Sequence, residues 1–297
     1  MDLKEVIIMA ENKDKVFSNT VINWYPGHMA KTKRLILEKG NLIDIVYELV
    51  DARIPFSSKI KNIYDVVMDK PKILIMTKKD LCDEKVTNMW KKYYENLGSH
   101  VMLLDLNDDK GIAELVNLTH ELTKELQSKR ISKGLKEKSI RALVVGIPNV
   151  GKSTLINKVC KRKVATVGNM PGVTKNLTWL KTDYGIELLD TPGILWPKLD
   201  NETVALNLAS FTAIKQELLP INDVAYYIIN TLKKYYPSHL ETIYHVDRHL
   251  SVIEIIDSIA ASIGAIKNDE VDYNRVSNKI VNDIKLENIK GITFDRK

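Results

Sequence analysis

The sequence predicts an α/β protein in which a mostly parallel sheet with helices on both faces is followed by a smaller all-α domain. Short runs rich in Ile, Val and Leu, bounded by polar or turn-forming residues, alternate with longer stretches whose apolar residues recur at helical spacing. After about residue 200 the strand signals fade and only the helical spacing continues. These two patterns, taken in that order, predict both the fold class and its division.

The predicted strands are short and almost wholly apolar, which is typical of parallel strands covered on both faces. They lie at 41–50, 72–76, 100–104, 142–146 and 186–190. Helices are predicted between them, at 83–97 and 111–127 and after Ser153. In the C-terminal third, Val224, Ile228, Ile229 and Leu232 follow Pro220 at helical intervals.

The predicted organisation is an N-terminal extension over 1–22, a nucleotide-binding domain over 23–204 and a helical domain over 205–297, which we expect to bind RNA. A chain of 297 residues is long enough for one such domain and a smaller second unit. The basic, apolar-poor segment 127–141 is interpreted as a solvated connection.

Composition excludes some classes and leaves others open. No segment reaches about eighteen uninterrupted apolar residues, the length that spans a membrane, and the acidic residues among the first twenty fit neither a secretory signal nor a transit peptide. We therefore expect a cytoplasmic protein. Cys82 and Cys160 are the two cysteines and lie far apart, which predicts neither a disulfide nor a zinc site. A net charge of +6 fits an anionic partner but does not identify one.

A phosphate-binding loop is predicted at 146–153, where the chain reads Gly-Ile-Pro-Asn-Val-Gly-Lys-Ser. It follows a predicted strand and precedes a helical stretch, as this loop requires. Glycines let backbone amides approach phosphate oxygens, Lys152 neutralises their charge, and Ser153 is a magnesium ligand.

A second motif, Asp-Thr-Pro-Gly at 190–193, follows the apolar run 186–190. Asp190 is placed to hold a magnesium-bound water, and the Gly193 amide to meet the γ-phosphate. Thr174, between the two motifs, is a further candidate magnesium ligand. An ordinary turn at 190–193 and an ordinary loop threonine are the alternatives.

The segment Thr77-Lys78-Lys79-Asp80 directly follows the strand 72–76 and predicts guanine recognition. The Asp80 carboxylate would accept hydrogen bonds from the base, and Lys78 would lay its aliphatic stem over it. Taken alone, this tetrapeptide is common in lysine-rich chains. GTPases usually carry it after the phosphate loop; its position before that loop indicates a circular permutation, which chain termini lying close together permit.

These motifs resemble the ribosome biogenesis GTPase A (RbgA/YlqF) family of circularly permuted GTPases, from about residue 23 to the C-terminus. The resemblance is carried by six segments in order: Asn-Trp-Tyr-Pro-Gly-His-Met at 23–29, Asp-Ala-Arg-Ile-Pro at 51–55, the tetrapeptide at 77–80, the phosphate loop, Pro-Gly-Val-Thr at 171–174 and the motif at 190–193. Asp272 and Arg275 also match, whereas the usual Asn of the base motif is Thr77 here.

The resemblance implies a GTPase that binds GTP and GDP with Mg²⁺ and acts on a large ribosomal subunit precursor, through rRNA and ribosomal proteins. We expect no membrane partner and a monomer, although the sequence does not determine the oligomeric state. Asp105-Leu106 aligns with the loop that contacts the base from its other side. Asn149 matches the position that binds K⁺ in potassium-activated GTPases, with a structuring role for the loop as the alternative. The candidate nucleotide-binding residues are Thr77, Lys78, Lys79, Asp80, Asp105, Leu106, Asn149, Val150, Gly151, Lys152, Ser153, Thr154 and Gly193.

Ile194 stands where many GTPases have a glutamine that orients the attacking water. An isoleucine cannot do this, so hydrolysis is expected to be slow unless another group is supplied. In the family that the chain resembles, that group is thought to be a histidine, which corresponds to His28. A structural histidine among Trp24, Pro26 and Met29 is the alternative.

Three functions remain open from the sequence: an assembly GTPase, a nucleotide-gated binding module with incidental turnover, and a P-loop ATPase or kinase in which the tetrapeptide at 77–80 is accidental. Hydrolysis assays with and without ribosomal subunits distinguish them.

Overall fold

The computed structural model describes residues 22–23, 34–60, 70–165, 178–193, 198–199, 201–215 and 218–296. The chain divides into two compact units. The sheet unit comprises Tyr25–Pro197 and Asp295–Lys297, and the helical unit comprises Met1–Trp24 and Lys198–Phe294. No helix in the described ranges is long and apolar enough to cross a membrane.

The sheet unit contains a six-stranded sheet, whose strands are β2 (Ile45–Asp51), β3 (Lys72–Thr77), β4 (His100–Leu103), β5 (Ile140–Gly146), β6 (Thr178–Lys181) and β7 (Ile186–Asp190). Their order across the sheet is β4-β3-β2-β5-β7-β6. Neighbouring strands are parallel except β6 and β7, which are antiparallel. The predicted mostly parallel α/β sheet is confirmed.

The strands follow the apolar runs of the sequence because the centre of the sheet is buried on both faces. All seven residues of β2 are buried, and so is every residue of β3 after Lys72. A polar side chain in this interior needs a partner, and the Tyr47 hydroxyl lies 2.6 Å from the hydroxyl of Thr119.

Three helices of the sheet unit have described bounds: α1 (Glu84–Asn96), α2 (Asp109–Ser132) and α3 (Lys152–Val159). Residues 34–39 are also helical, and Gly40–Leu42 and Lys79–Leu81 form short 3-10 helices. Asp83 and Asp108 cap α1 and α2 with their carboxylates.

The interpretation of 127–141 as a connection is wrong for its first part, because α2 continues to Ser132. Gln, Lys and Arg are good helix formers, and low apolar content alone does not end a helix. The helix stops before Gly134, which has φ +71°. The exposed connection to β5 is therefore only 133–139.

The helical unit confirms the predicted C-terminal helices. They are α4 (Glu202–Ser210), α5 (Ile221–Tyr235), α6 (Pro237–Ile243), α7 (Val252–Ser262) and α8 (Tyr273–Lys285). Two short antiparallel pairs accompany them: β1 (Ile22–Asn23) with β8 (Lys198–Leu199), and β9 (Ile266–Lys267) with β10 (Glu270–Val271). Apolar faces of α5, α7 and α8 form a common core.

Asp272 and Arg275 act on helix ends in this unit. The Asp272 carboxylate accepts a hydrogen bond from the Arg275 backbone N–H at the start of α8. The Arg275 guanidinium donates to the carbonyls of Ile263 and Gly264 just beyond α7, at 3.0 and 2.9 Å. Both residues therefore stabilise helix termini.

Candidate nucleotide site

The carboxyl ends of β2, β3, β4, β5 and β7 meet at one edge of the sheet, because these strands are parallel. In open α/β sheets this edge is where ligands bind. The predicted phosphate loop follows β5, the 190–193 motif follows β7, and the tetrapeptide at 77–80 follows β3.

Close packing and backbone conformation require the two glycines of the phosphate loop. A Cβ added at Gly146 would lie 2.8 Å from the Leu49 carbonyl oxygen and from Cγ2 of Val150, so only glycine fits there. Gly151 has φ +93° and caps α3, a backbone conformation that favours glycine. The loop thus delivers the N-terminus of α3 to the carboxyl edge.

Lys152 is buried at the start of α3, and its ammonium donates hydrogen bonds to the carbonyls of Gly146 and Ile147 at 3.1 and 2.8 Å. Burial lowers the pKa of Lys152 to about 8, and the negative charge of Asp190 opposes this shift. The ammonium is therefore held inside the loop, where phosphate oxygens would replace these two carbonyls as its partners.

Asp190 and Gly193 belong to the motif that follows β7 and contacts this loop. Asp190 is buried, burial raises its pKa, and its Oδ1 has no hydrogen-bond partner among the described residues. The Thr191 hydroxyl donates to the Val144 carbonyl of β5 at 2.6 Å. A Cβ added at Gly193 would lie 2.8 Å from Cγ of Pro148, so this motif contacts the phosphate loop directly.

The base loop, Thr77–Asp80, is joined to the phosphate loop by Thr77. Its buried hydroxyl donates to the Val150 carbonyl at 2.6 Å and lies 3.1 Å from the Val50 carbonyl. Asp80 is exposed within the 3-10 helix that follows. Thr77 thus fixes the spacing between the residue proposed to recognise the base and the loop proposed to hold phosphates.

The loop after β4 borders the same space. The backbone N–H of Lys79 donates to the Leu104 carbonyl at 3.2 Å. Leu106 is buried, and its Cδ1 would lie 3.0 Å from a Cβ added at Gly151. Asp105 accepts a hydrogen bond from the Asn107 N–H at 2.8 Å, which stabilises the turn.

The structure therefore brings the candidate residues after β3, β4, β5 and β7 to one edge. Asn149 belongs to this group and has φ +62°; Ser153 and Thr154 are partly buried in the first turn of α3. His28, Thr174 and Ile194 lie outside the described residues. Their roles remain predictions.

Sequence reasoning gave no role to Asp51 and Arg53, which lie at the same edge. The Asp51 carboxylate accepts hydrogen bonds from the Arg53 guanidinium and, at 2.8 Å, from the Lys78 ammonium. Two signals were available: residues 51–55 form one of the six segments that carry the resemblance, and Asp51, like Asp190, is an aspartate at the end of an apolar strand.

The donor set at the phosphate loop fits a magnesium ion that is bound mainly by phosphate and water. No cluster of three or more His, Cys, Asp or Glu side chains that could hold a metal occurs among the described residues. Mg²⁺ bound with a nucleotide usually takes one or two protein oxygens. Oδ1 of Asp190, which has no partner among the described residues, and the hydroxyl of Ser153, which follows Lys152 in α3, would meet that need.

Fold and site together define a phosphate-loop nucleotide-binding protein whose base loop precedes its phosphate loop in the chain. Comparison with known proteins narrows this class. The family model described as "50S ribosome-binding GTPase" matches residues 141–260.

Curated relatives match nearly the whole chain. Ribosome biogenesis GTPase A of Priestia megaterium is 42% identical over 277 residues, which cover 92% of this chain and 96% of that protein. The protein of the same name from Bacillus licheniformis is 42% identical over 93% of this chain and 98% of its own length. The chain belongs to the ribosome biogenesis GTPase A family.

A solved structure supports the fold. The crystal structure of GNP-bound YlqF from Thermotoga maritima aligns with a TM-score of 0.63 at 24% identity, covering 90% of this chain and 98% of that chain. At this identity the likeness supports the architecture alone.

Proposed function

We propose that this protein binds GTP at the carboxyl edge of the sheet, hydrolyses it to GDP and phosphate, and acts in assembly of the large ribosomal subunit. In the GTP state it binds the maturing subunit through rRNA, and hydrolysis releases it. Membership of the ribosome biogenesis GTPase A family supports this proposal, as does the family description that matches 141–260.

The observation that carries the nucleotide-binding part of the proposal is the hydrogen bond from Thr77 to the Val150 carbonyl. It joins the base loop to the phosphate loop at a fixed spacing, and a nucleotide has a base and phosphates at a fixed spacing. A phosphate loop alone would serve any nucleoside triphosphate; a second loop held at a fixed distance from it suits a ligand that reaches both.

The residues have distinct roles in the proposal. Lys152 and the amides at the start of α3 bind phosphate oxygens, and Gly193 offers its amide to the γ-phosphate. Asp80 accepts hydrogen bonds from N1 and the exocyclic amine of guanine. Leu106 and the backbone of its loop border the base on the other side.

Ser153, Asp190 and Thr174 would hold magnesium, directly or through water. The ion would supply positive charge that neutralises the phosphates. Asn149 is proposed to help bind a potassium ion beside the phosphates. His28 is proposed to orient the attacking water, since the residue after the 190–193 motif is Ile194 and cannot do so.

The experiment that tests the base assignment is Asp80→Asn. The expected result is GTP affinity weaker by roughly ten- to a hundredfold, the loss typical of one hydrogen bond to a charged group. Xanthine carries a carbonyl where guanine carries the exocyclic amine, so affinity for xanthosine triphosphate should rise. Dissociation constants from equilibrium titration check both.

Glu114→Gln, an exposed carboxyl-to-amide change on α2, is the matched control and should leave both affinities unchanged. A parent protein that prefers ATP, or an Asp80→Asn variant that binds GTP like the parent, would contradict the proposal. Co-sedimentation with large subunits under a non-hydrolysable GTP analogue tests the partner. Absence of the protein from every ribosomal particle would favour a non-ribosomal P-loop enzyme.

A further inference from the structure

Asp51 lies in the middle of the candidate nucleotide site. It is the last residue of β2, which is placed between β3 with its base loop and β5 with its phosphate loop. It is paired in register with Thr77, the first residue of the base loop. The roles proposed above do not use this buried carboxylate.

The carboxylate of Asp51 has cationic partners on both oxygens. Oδ1 accepts from the backbone N–H and Nε of Arg53, each at 3.0 Å. Oδ2 accepts from Nη2 of Arg53 and from Nζ of Lys78, each at 2.8 Å. Burial alone would raise the pKa of Asp51, but the charges and hydrogen bonds of Arg53 and Lys78 hold it well below its ordinary value.

Lys78 is thereby fixed at both ends. Its backbone is in the left-handed region, with φ +61°, at the turn out of β3. Its ammonium is paired with Asp51, and its side chain is only 21% exposed. The aliphatic stem is therefore held along the carboxyl edge, where a free lysine would sample many rotamers.

Asp51 is itself held firmly by the loop that follows it. The Ser58 hydroxyl accepts from the Asp51 N–H at 3.0 Å and donates to the Ile54 carbonyl at 2.5 Å. The Thr87 hydroxyl of α1 donates to the Ala52 carbonyl at 2.9 Å. These hydrogen bonds hold the backbone at and after Asp51 in place, so its carboxylate has a supported position.

We propose that Asp51 is a positioning residue for nucleotide binding: it anchors the Lys78 ammonium so that the Lys78 stem forms a preformed wall against the base. Arg53 keeps the carboxylate charged and correctly oriented. The inference rests on the proposed function, because it requires a base to lie against Lys78. It assigns the shape of this wall to Asp51 and leaves recognition of guanine to Asp80.

The test compares GDP dissociation constants for the parent, Asp51→Asn, Lys78→Met and the double variant. Methionine keeps an unbranched stem and removes the charge. Each single variant should bind GDP roughly three- to tenfold more weakly, the cost of immobilising one flexible side chain on binding. The double variant should be no weaker than the singles, since both changes remove the same contact.

A folded Asp51→Asn variant that binds GDP like the parent, or more tightly, overturns the inference, since it would mean that a released ammonium serves the nucleotide equally well. The inference is also overturned if the losses of GDP affinity in the two single variants multiply in the double variant, because that would indicate a separate structural role for Asp51. If Asp51→Asn fails to fold, Lys78→Met decides alone, because it leaves the Asp51–Arg53 pair intact. Unchanged GDP affinity there overturns the inference.

Inosine diphosphate, which lacks the exocyclic amine of guanine, separates this inference from the proposed function. Asp51→Asn should weaken the binding of GDP and of inosine diphosphate by the same factor. Asp80→Asn should change the ratio of the two dissociation constants. An unchanged ratio in Asp80→Asn would count against guanine recognition by Asp80. A changed ratio in Asp51→Asn would count against a purely positioning role for Asp51.

Discussion

At the residue scale, Lys152 shows how the site is prepared for an anion. A buried ammonium is costly, and here the two carbonyls of the phosphate loop solvate it only partly. Its pKa is lowered to about 8 for that reason. A bound phosphate would add negative charge nearby and raise this pKa again.

This shift predicts pH-dependent binding. Above a pH of about 8 the ligand-free protein loses the Lys152 proton, so binding of GDP must take a proton up. GDP affinity should therefore be flat from about pH 7 to about 8 and fall by up to roughly tenfold per pH unit just above that, before guanine N1 itself loses its proton. The sign for stability is opposite: the ligand-free protein should become more stable as pH rises from about 8 toward 10.5, because only the unfolded lysine stays protonated there.

Titrations of GDP across this range check the prediction. Lys152→Arg is the control, since arginine stays charged and should remove the dependence, whatever its affinity. A parent affinity that does not change with pH would mean that Lys152 keeps its proton without a ligand.

Thr77 shows what residue types alone cannot reveal. The sequence indicates that a hydroxyl remains where the family has an amide, but not which atom the hydroxyl meets. Its partner, the Val150 carbonyl, lies in a loop 73 residues away in the chain. Such a contact depends on the strand order, which places β2 between β3 and β5. The same strand order brings the Lys78 ammonium to Asp51, so residue types alone could not predict this ion pair either.

At the scale of elements, the strands were predictable because a sheet buried on both faces requires continuous apolar runs. The start of β2 was placed four residues too early, at 41 instead of Ile45, because Gly40–Leu42 form a 3-10 helix. The end of α2 was misjudged because exposed helices need no apolar residues. The C-terminal tail gave no signal in the sequence at all.

That tail contributes to the sheet unit through Asp295. The carboxylate of Asp295 accepts hydrogen bonds from the backbone N–H groups of Phe56 and Ser57, both at 2.7 Å, and from the Ser57 hydroxyl at 2.6 Å. The indole N–H of Trp90 donates to the Asp295 carbonyl at 3.1 Å. The loop after β2, which carries Arg53, is thus supported by a residue at the end of the chain.

Asp295→Ala should therefore lower the free energy of unfolding by about 1 to 3 kcal/mol, because three donors would lose their acceptor. Urea unfolding measures this loss. Glu121→Ala removes an exposed carboxylate from α2 and should change stability by less than about 0.5 kcal/mol. Equal stability in Asp295→Ala and the control would show that water satisfies these donors.

At the scale of the whole molecule, the permuted order of the nucleotide motifs determines which part of the chain follows the 190–193 motif. The 190–193 motif is the last of the site motifs, and residues from Lys198 to Phe294 belong to the helical unit. In a GTPase of the usual order this motif lies in the middle of the domain. Here the chain continues from this motif into the helical unit, which the sequence predicts to bind RNA.

The proposed role of His28 can be tested with the whole protein bound to the large ribosomal subunit. If His28 orients water, His28→Ala should keep GTP affinity and binding to the large subunit but lose most of the particle-stimulated hydrolysis. Only a transition-state interaction would be removed. General acid–base groups accelerate a reaction by about a hundred- to ten-thousandfold, so the loss of hydrolysis rate should be of that order. Single-turnover hydrolysis at equal particle occupancy measures the loss.

His100→Ala, a change at an exposed histidine of the sheet unit, is the control and should hydrolyse GTP like the parent. If His28 only packs among apolar neighbours, its removal should lower thermal stability and weaken nucleotide or particle binding together. Stimulated turnover within a few fold of the parent, at equal occupancy, would assign the histidine to packing. If the His28→Ala variant hydrolyses GTP slowly and also remains bound to the ribosomal particle, hydrolysis is what releases the protein. The reason is that a factor that cannot complete hydrolysis stays in the state that binds the subunit.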